Sequence, residues 1–191
     1  ESDRPRFHFE DTLNAGGGLC NEEAVKVLVE EGPQRVRELI ELGALFDKED
    51  GEYHFTREGA HSYRRILHAG DATGREIEKT LGNHLLQEGN VQFFSNTGVF
   101  KLLMNEGRCV GCLACVKGEW SVFRAASVIL ATGGCGQLFS RNTNPPVATG
   151  DGIALAFQAG AYVQDMEFIQ FHPTTLYLGD KKPISLFLIS E

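Results

Sequence analysis

Positive charge is scarce in this sequence of 191 residues: 18 lysines and arginines stand against 26 aspartates and glutamates, a net charge of -8. Nucleic-acid binding needs a basic footprint, so that class is excluded as a general function. An anionic ligand would have to be met by a local basic patch instead of a global field. No apolar run reaches membrane-spanning length, so no membrane partner is expected. The opening E-S-D-R-P has no initiator Met and does not read as a signal peptide. G-x-S-x-G, H-E-x-x-H and the Walker loop are all missing, which leaves nucleophilic and metal-hydrolytic catalysis without support. Internal repeats and low-complexity stretches are missing too. The cysteines number 5, an odd count without a small secreted framework, which fits a reducing cytoplasm.

What is present suits an α/β protein with many turns: 42% hydrophobic residues and 22 glycines. The length fits one domain or slightly more. The chain stops straight after an apolar run, Ile184 to Ile189, and reads as an interior piece of a longer protein. Asn21 is placed to cap a helix from Glu22 to about Glu31, with Gly32 ending it and Pro33 starting another. That second helix carries Val36, Leu39 and Ile40 on one face and stops at Gly43. Asp50-Gly51 reads as a hairpin turn between short strands near Leu45 and His54-Phe55. Thr73 to Glu76 has the capping-box pattern, and Ile77, Leu81 and Leu85 give the next helix a core face. The period then changes. Val91–Phe94, Val99–Met104, Cys109–Val116 and Trp120–Arg124 read as a β-meander. Ser127–Ala131 reads as a strand buried on both faces, as in a parallel sheet, and a helix runs from near Asp151 to about Gly160.

Four segments offer chemistry. In E-F-I-Q-F-H-P-T, from Glu167 to Thr174, Gln170 and His172 are two apart, so an extended backbone puts them on one face. Pro173 holds His172 extended, and the pair suits gripping a small carboxylate; an edge strand whose His is satisfied by backbone is the plainer alternative. A strand running into Gly133, Gly134 and Gly136 has the phosphate-cradling order, yet these glycines do not spell G-x-G-x-x-G, and a tight turn also explains them. Arg57, Arg64, Arg65, Arg75, His61 and His68 crowd one stretch and suit an anion, or else form a solvated basic loop that pairs with surface acids. Asp151, at a helix start, suits ribityl or ribose hydroxyls, or simple capping. Cys109, Cys112 and Cys115 lack the fourth ligand of a ferredoxin run. Strand alternation sends them to opposite faces, so they read as small buried hydrophobes and no metal is expected.

Taken together, V-I-L-A-T-G-G-C-G, T-N-P-P-V-A-T-G-D-G-I-A-L-A-F-Q-A-G-A and D-M-E-F-I-Q-F-H-P-T resemble the succinate dehydrogenase/fumarate reductase flavoproteins. Within that family, F-H-F-E-D-T-L-N-A-G-G-G-L-C-N-E-E-A-V and T-R-E-G-A-H-S-Y-R-R-I-L-H-A-G-D-A-T-G-R-E resemble the L-aspartate oxidase branch. The resemblance implies an α/β fold: the interior of a two-layer, Rossmann-like FAD-binding domain over residues 1–166, then the start of a capping domain over 167–191. It implies FAD as cofactor and oxidation of L-aspartate to iminoaspartate, on the way to quinolinate and NAD, with oxygen or fumarate as acceptor. The implied partners are L-aspartate, fumarate and quinolinate synthase. By similarity, His172 and Glu58 are the catalytic residues, and Gln170, His172, Ser190 and Glu58 bind substrate. Glu58 would meet the substrate ammonium, while Val99, Phe100, Gly133, Gly134 and Asp151 contact FAD. The family's opening G-x-G-x-x-G unit does not occur in these residues, so a piece with these bounds is expected to hold FAD weakly and to be inactive alone. The alternatives are a fumarate reductase or succinate dehydrogenase flavoprotein subunit, and a non-catalytic fragment.

Overall fold

Helix α1 (Pro5–Ala15) begins on a proline, whose missing N–H costs nothing in a first turn. The computed structural model describes residues 3–70 and 72–171, with the backbone of two short strands at 175–176 and 187–188. The chain divides between Gln92 and Phe93 into two units.

In the first unit, Asn21 Oδ1 accepts the Ala24 amide at 3.0 Å and starts α2 (Glu22–Glu41). The two helices expected on either side of Gly32-Pro33 are one. A stripe at helical spacing, Val25, Val29, Gly32, Val36 and Ile40, is buried or half-buried straight across the proline. Packing along that stripe outweighs the single backbone bond that Pro33, itself exposed, removes. Pro33→Ala should therefore stabilise the full-length protein by about 2 kcal/mol, the helix gain less the added freedom of the unfolded chain. A denaturation midpoint that stays put or falls would contradict it. Gly43, at φ 99, ends the helix as expected, with its amide on the Ile40 carbonyl at 2.9 Å and the Ala44 amide on Leu39 at 2.9 Å.

Asp50 (φ 51) and Gly51 (φ 88) make the hairpin between β1 (Lys48–Glu49) and β2 (Glu52–Tyr53). Leu45 lies outside it and is 70% exposed. Phe55 belongs instead to β3 (Phe55–Thr56), which pairs antiparallel with β4 (Ile66–Leu67). Helix α3 (Thr73–Gln87) has no capping box. Thr73 Oγ1 accepts the Ala69 amide at 3.1 Å and Glu76 Oε1 accepts the Leu45 amide at 3.0 Å, so both candidate caps are engaged elsewhere. Its buried residue is Thr80, while Leu81 and Leu85 of the expected core face are 37% and 41% exposed.

In the second unit the meander is β5 (Thr97–Asn105), β6 (Arg108–Val116) and β7 (Glu119–Arg124), in that order. Glu106-Gly107 and Lys117-Gly118, all with positive φ, make its two tight turns. The expected strand at Val91–Phe94 does not form; Phe94 instead packs edge-on against Phe123 at 4.9 Å. The register slips between Val99 and Lys101, which bulges Phe100 out of the ladder. It slips again beside Val110, which resets strand alternation between Cys109 and Cys112. Opposite faces therefore cannot be assigned to Cys109 and Cys112 by counting, whereas Cys112 and Cys115, in unbroken register with β7, do alternate. Burial, and then the neighbouring Cys109, raise the Cys112 thiol above its ordinary value, and all three cysteines are half-buried, not fully buried.

After the Ala125 amide bonds the Val110 carbonyl at 3.0 Å, the chain leaves the meander. The strand expected at Ser127–Ala131 is unpaired among the described residues, and Ile129 is 90% exposed. An apolar extended run becomes a strand only beside a partner, and every pairing described here is antiparallel. Helix α4 (Asp151–Gln158) buries Gly152 and Leu155, packs on β5, and is followed by Gly160 at φ 87. Strands β8 (Thr175–Leu176) and β9 (Phe187–Leu188) pair antiparallel. Among the described residues no helix is long and apolar enough to cross a membrane.

Candidate active site

The loop joining β3 to β4 carries Glu58. Its turn closes where the His61 amide meets the Glu58 carbonyl at 3.0 Å, and the Glu58 side chain is exposed on the turn. The loop is tied to α1. Asp11 Oδ2 accepts the Ser62 amide at 2.8 Å and Oδ1 accepts the Ser62 hydroxyl. Arg65, whose side chain is only 7% exposed, donates to Asp11 at 2.7 Å and to both oxygens of Asp3 at 2.8 and 2.9 Å. Tyr63 stacks on Phe7 at 5.0 Å. The Ser62 hydrogen bonds, then Arg65, hold the Asp11 carboxyl far below the ordinary carboxylate range.

This geometry sorts the basic cluster. Arg65 pairs with acids as the second of the two sequence readings has it, but as a buried internal partner and not in a solvated loop. His68 is likewise internal, with Nδ1 3.0 Å from Asp47 and Nε2 3.0 Å from His54 Nδ1. Arg57, Arg64 and Arg75 are exposed and remain open to an anion. His61 Nδ1 is buried with no hydrogen-bond partner, and its ring meets His8 edge-on at 5.6 Å.

Burial, then Arg65 and His61, lower the His8 pKa below its ordinary 6.5, against weaker opposing pulls from Asp3 and Asp11. The sign follows: as pH falls below 6.5 the unfolded chain takes up a proton that the folded chain does not. Stability contributed by neutral His8 is present above that pH and drains away as pH drops through the folded value. Asp11 adds a loss of its own only below its ordinary 3.8. His8→Gln should flatten the stability curve just below neutrality and leave the acid limb unchanged, as urea melts at stepped pH would read. An unchanged slope near pH 6 would remove His8 from this role.

In the second unit the glycine turn and α4 come together. The chain runs from Gly133 (φ 69) and Gly134 through the short 3-10 turn Gly136–Leu138, then folds back. The Gly150 amide (φ 80) donates to the Gly134 carbonyl at 3.2 Å. Gln137 staples the excursion: its side-chain amide donates to Asn142 Oδ1, Asn144 O and Pro145 O at 3.2, 3.0 and 3.1 Å. Gly152 sits so close to Thr132 that a Cβ there would lie 1.8 Å from Oγ1. The glycine turn therefore does cradle a helix N-terminus, only not the helix that follows it directly. A search for strand, turn and helix in immediate succession misses it; the glycines spaced at 150 and 152 are the signal that was available.

The face of this junction is open. A Cβ on Gly133 or Gly134 would meet nothing within 4 Å. Asp151 opens α4, its carboxylate exposed and fixed by the Thr149 hydroxyl at 2.8 Å. Phe100, bulged from the strand on which α4 packs, is 57% exposed and meets Trp120 edge-on at 5.0 Å. Open backbone beside a helix start, with a held carboxylate nearby, fits a ligand bearing phosphates and hydroxyls such as FAD. Gln170 lies exposed in a stretch without regular secondary structure, while His172 and Ser190 lie outside the described residues, as does the expected pairing of Gln170 with His172. A groove of about 220 Å³ beside α3, lined by Leu42, Leu45, Glu76, Thr80 and His84, holds none of the expected site residues. Among the described residues no cluster of His, Cys, Asp and Glu is arranged to hold a metal ion.

Residues 1–191 match the family described as FAD binding domain. An L-aspartate oxidase of Streptomyces coelicolor is 49% identical, over 100% of this chain and 34% of that protein. One from Synechocystis sp. is 46% identical, also over 100% and 34%. Among solved structures, an E. coli quinol fumarate reductase matches with TM-score 0.88 and 34% identity, over 92% of this chain and 31% of that one. The Mycobacterium smegmatis Sdh1 complex in its apo form matches with TM-score 0.85 and 36% identity, over 98% and 34%. The chain thus spans about a third of the length of the curated relatives it matches. A match that runs from the first residue to the last, over an open glycine cradle of the right chemistry, has one meaning: this chain belongs to the FAD binding domain family, and its cofactor is FAD.

Proposed function

We propose that the full-length protein is an FAD-dependent L-aspartate oxidase that converts L-aspartate to iminoaspartate for quinolinate and NAD synthesis. The observation that carries this reading is the match of the whole chain to L-aspartate oxidases at up to 49% identity. The fumarate reductase and Sdh1 structures, at 34 and 36%, keep a dicarboxylate oxidoreductase as the second reading. When bound, FAD supplies the hydride acceptor. The chain's own residues do the rest. Asp151, the open backbone of Gly133 and Gly134, and the bulge at Val99 and Phe100 hold the cofactor. Gln170, His172 and Ser190 take the substrate carboxylates, from a capping domain that begins near residue 167. Glu58 meets the ammonium, and with His172 it is the residue closest to the chemistry. Oxygen or fumarate is the final acceptor, and quinolinate synthase the partner that receives the product. A cytoplasmic location goes with this reading, although relatives from tobacco and rice are described as chloroplastic.

Anaerobic mixing of the full-length, FAD-loaded protein with each substrate tests the proposal. L-aspartate should bleach the flavin absorbance within the catalytic time, and succinate should do so far more slowly. Equal or faster bleaching by succinate would favour the second reading, and none with either would leave a non-catalytic flavoprotein.

A further inference from the structure

We propose that Asp11 is a positioning residue: from α1 it sets the placement of the Glu58 turn, and through it the preference for an amino dicarboxylate over a plain one. The inference rests on the role of Glu58 proposed above. Asp11 does not face a ligand, because both of its oxygens are occupied by the loop: Oδ1 by the Ser62 hydroxyl, Oδ2 by the Ser62 amide and Arg65.

The loop explains why that anchor matters. The β3–β4 ladder ends at Thr56, where the Arg65 amide donates to the Thr56 carbonyl at 3.0 Å. Beyond that rung the residues between Thr56 and Arg65 have no ladder. Glu58 is two residues from the rung on one side. On the other, the turn closes at His61, and Ser62 follows at once. Fixing Ser62 by both its amide and its hydroxyl therefore fixes the turn on which Glu58 stands. The anchor is rigid on its own side, since Asp11 lies in the middle of α1 and the Phe7–Tyr63 stack keeps that helix against the loop.

Only a carboxylate does this well. The site presents an N–H, an O–H and a guanidinium to one side chain, three donors that need two acceptor oxygens. Asn at position 11 would keep one oxygen for the Ser62 amide and Arg65 and turn its NH₂ to the Ser62 hydroxyl, which also accepts, but it would lose the negative charge that strengthens all three contacts. The shape is kept and the anchor is loosened. Arg65 stays paired with both oxygens of Asp3, so the variant retains a reason to fold.

The test uses the full-length, FAD-loaded protein as Asp11→Asn, Glu58→Gln and the double variant. The readout is the ratio of kcat/KM for L-aspartate oxidation to that for fumarate reduction. Asp11→Asn should lower this ratio about tenfold, mainly through KM for aspartate, the size expected for a hydrogen bond to a charged group. Flavin content should be unchanged, and amide exchange should quicken at Ser62 and its neighbours. In the Glu58→Gln background the same change should leave the ratio where it is, because the residue acts through Glu58. Ser62→Ala, which removes only the hydroxyl donor, should give a smaller loss of the same kind and carries the test if Asp11→Asn does not fold. If Glu58→Gln shifts the ratio but Asp11→Asn and Ser62→Ala lower both activities equally, this proposal is wrong and the Glu58 reading stands. If the Asp11 effect adds fully to that of Glu58→Gln, Asp11 acts by another route and the proposal is again wrong. If Glu58→Gln leaves the ratio unmoved, both fall.

Discussion

Glu58→Gln in the full-length protein should lower kcat/KM for L-aspartate by about 30-fold or more while sparing fumarate. The reason is charge. Aspartate carries an ammonium that fumarate and succinate lack, and in the proposed role Glu58, exposed on its turn, would face that ammonium once bound substrate covers it, a match to that difference alone. Truncating one member of such a pair leaves the other charge desolvated and unpaired, which costs about 2 kcal/mol at the low end. The same carboxylate repels a plain dicarboxylate, so its removal should leave fumarate binding equal or better. The geometry agrees with a side chain held in reserve: Glu58 is exposed, uses its backbone carbonyl to close the turn, and makes no ion pair among the described residues. Steady-state kinetics on both substrates check the prediction. Equal losses on the two would make Glu58 a structural residue and remove the main support for an amino-acid substrate.

Gly152→Ala should empty the flavin site. The added Cβ would lie 1.8 Å from Thr132 Oγ1, 2.6 Å from its Cβ and 2.9 Å from its Cγ2. The 2.6 Å distance matters most, because rotating the threonine moves its Oγ1 and Cγ2 but cannot clear its Cβ. Either α4 or the glycine turn must move, and overpacking of this kind costs about 1–3 kcal/mol, partly offset by the better helix propensity of Ala. The junction that separates is the one proposed to hold FAD, so a fall in affinity of about tenfold to a hundredfold should accompany the lower melting temperature. The flavin-to-protein ratio after gel filtration reads it. Two controls sharpen the result. Gly134→Ala, where a Cβ meets nothing, should leave the melting temperature alone and weaken FAD only through the new methyl in the open cradle. Thr132→Gly combined with Gly152→Ala should recover part of the stability. Full flavin occupancy in Gly152→Ala would detach this junction from cofactor binding.

Local signals survived folding where a few residues set the outcome. Asn21 caps, Gly43 stops, Asp50-Gly51 turns and the three-strand meander forms, because each depends on backbone preferences and near neighbours. Signals that needed a distant partner did not. The capping box at Thr73 lost its two side chains to Ala69 and Leu45, and Leu81 and Leu85 are only partly covered. Ser127–Ala131 has the composition of a buried strand and no strand beside it among the described residues. Pro33 is the reverse case, a local stop overridden by a burial stripe on both sides of it.

The site divides the same way. The sequence alone named the candidates for flavin-family chemistry: the glycine turn, Asp151, Glu58 in its basic loop, and the Gln170 motif. These are matters of residue type and spacing, and they need no coordinates. Tertiary structure decided what each does for the others. It turned Arg65 from a candidate ligand group into an internal partner of Asp3 and Asp11, and it set Gly152 against Thr132 across a long excursion. It also made Asp11 the support of a turn far from it in sequence. The physical reason is that a charge or a missing side chain has meaning only relative to what lies within a few ångströms of it, and for these residues those neighbours come from remote parts of the chain.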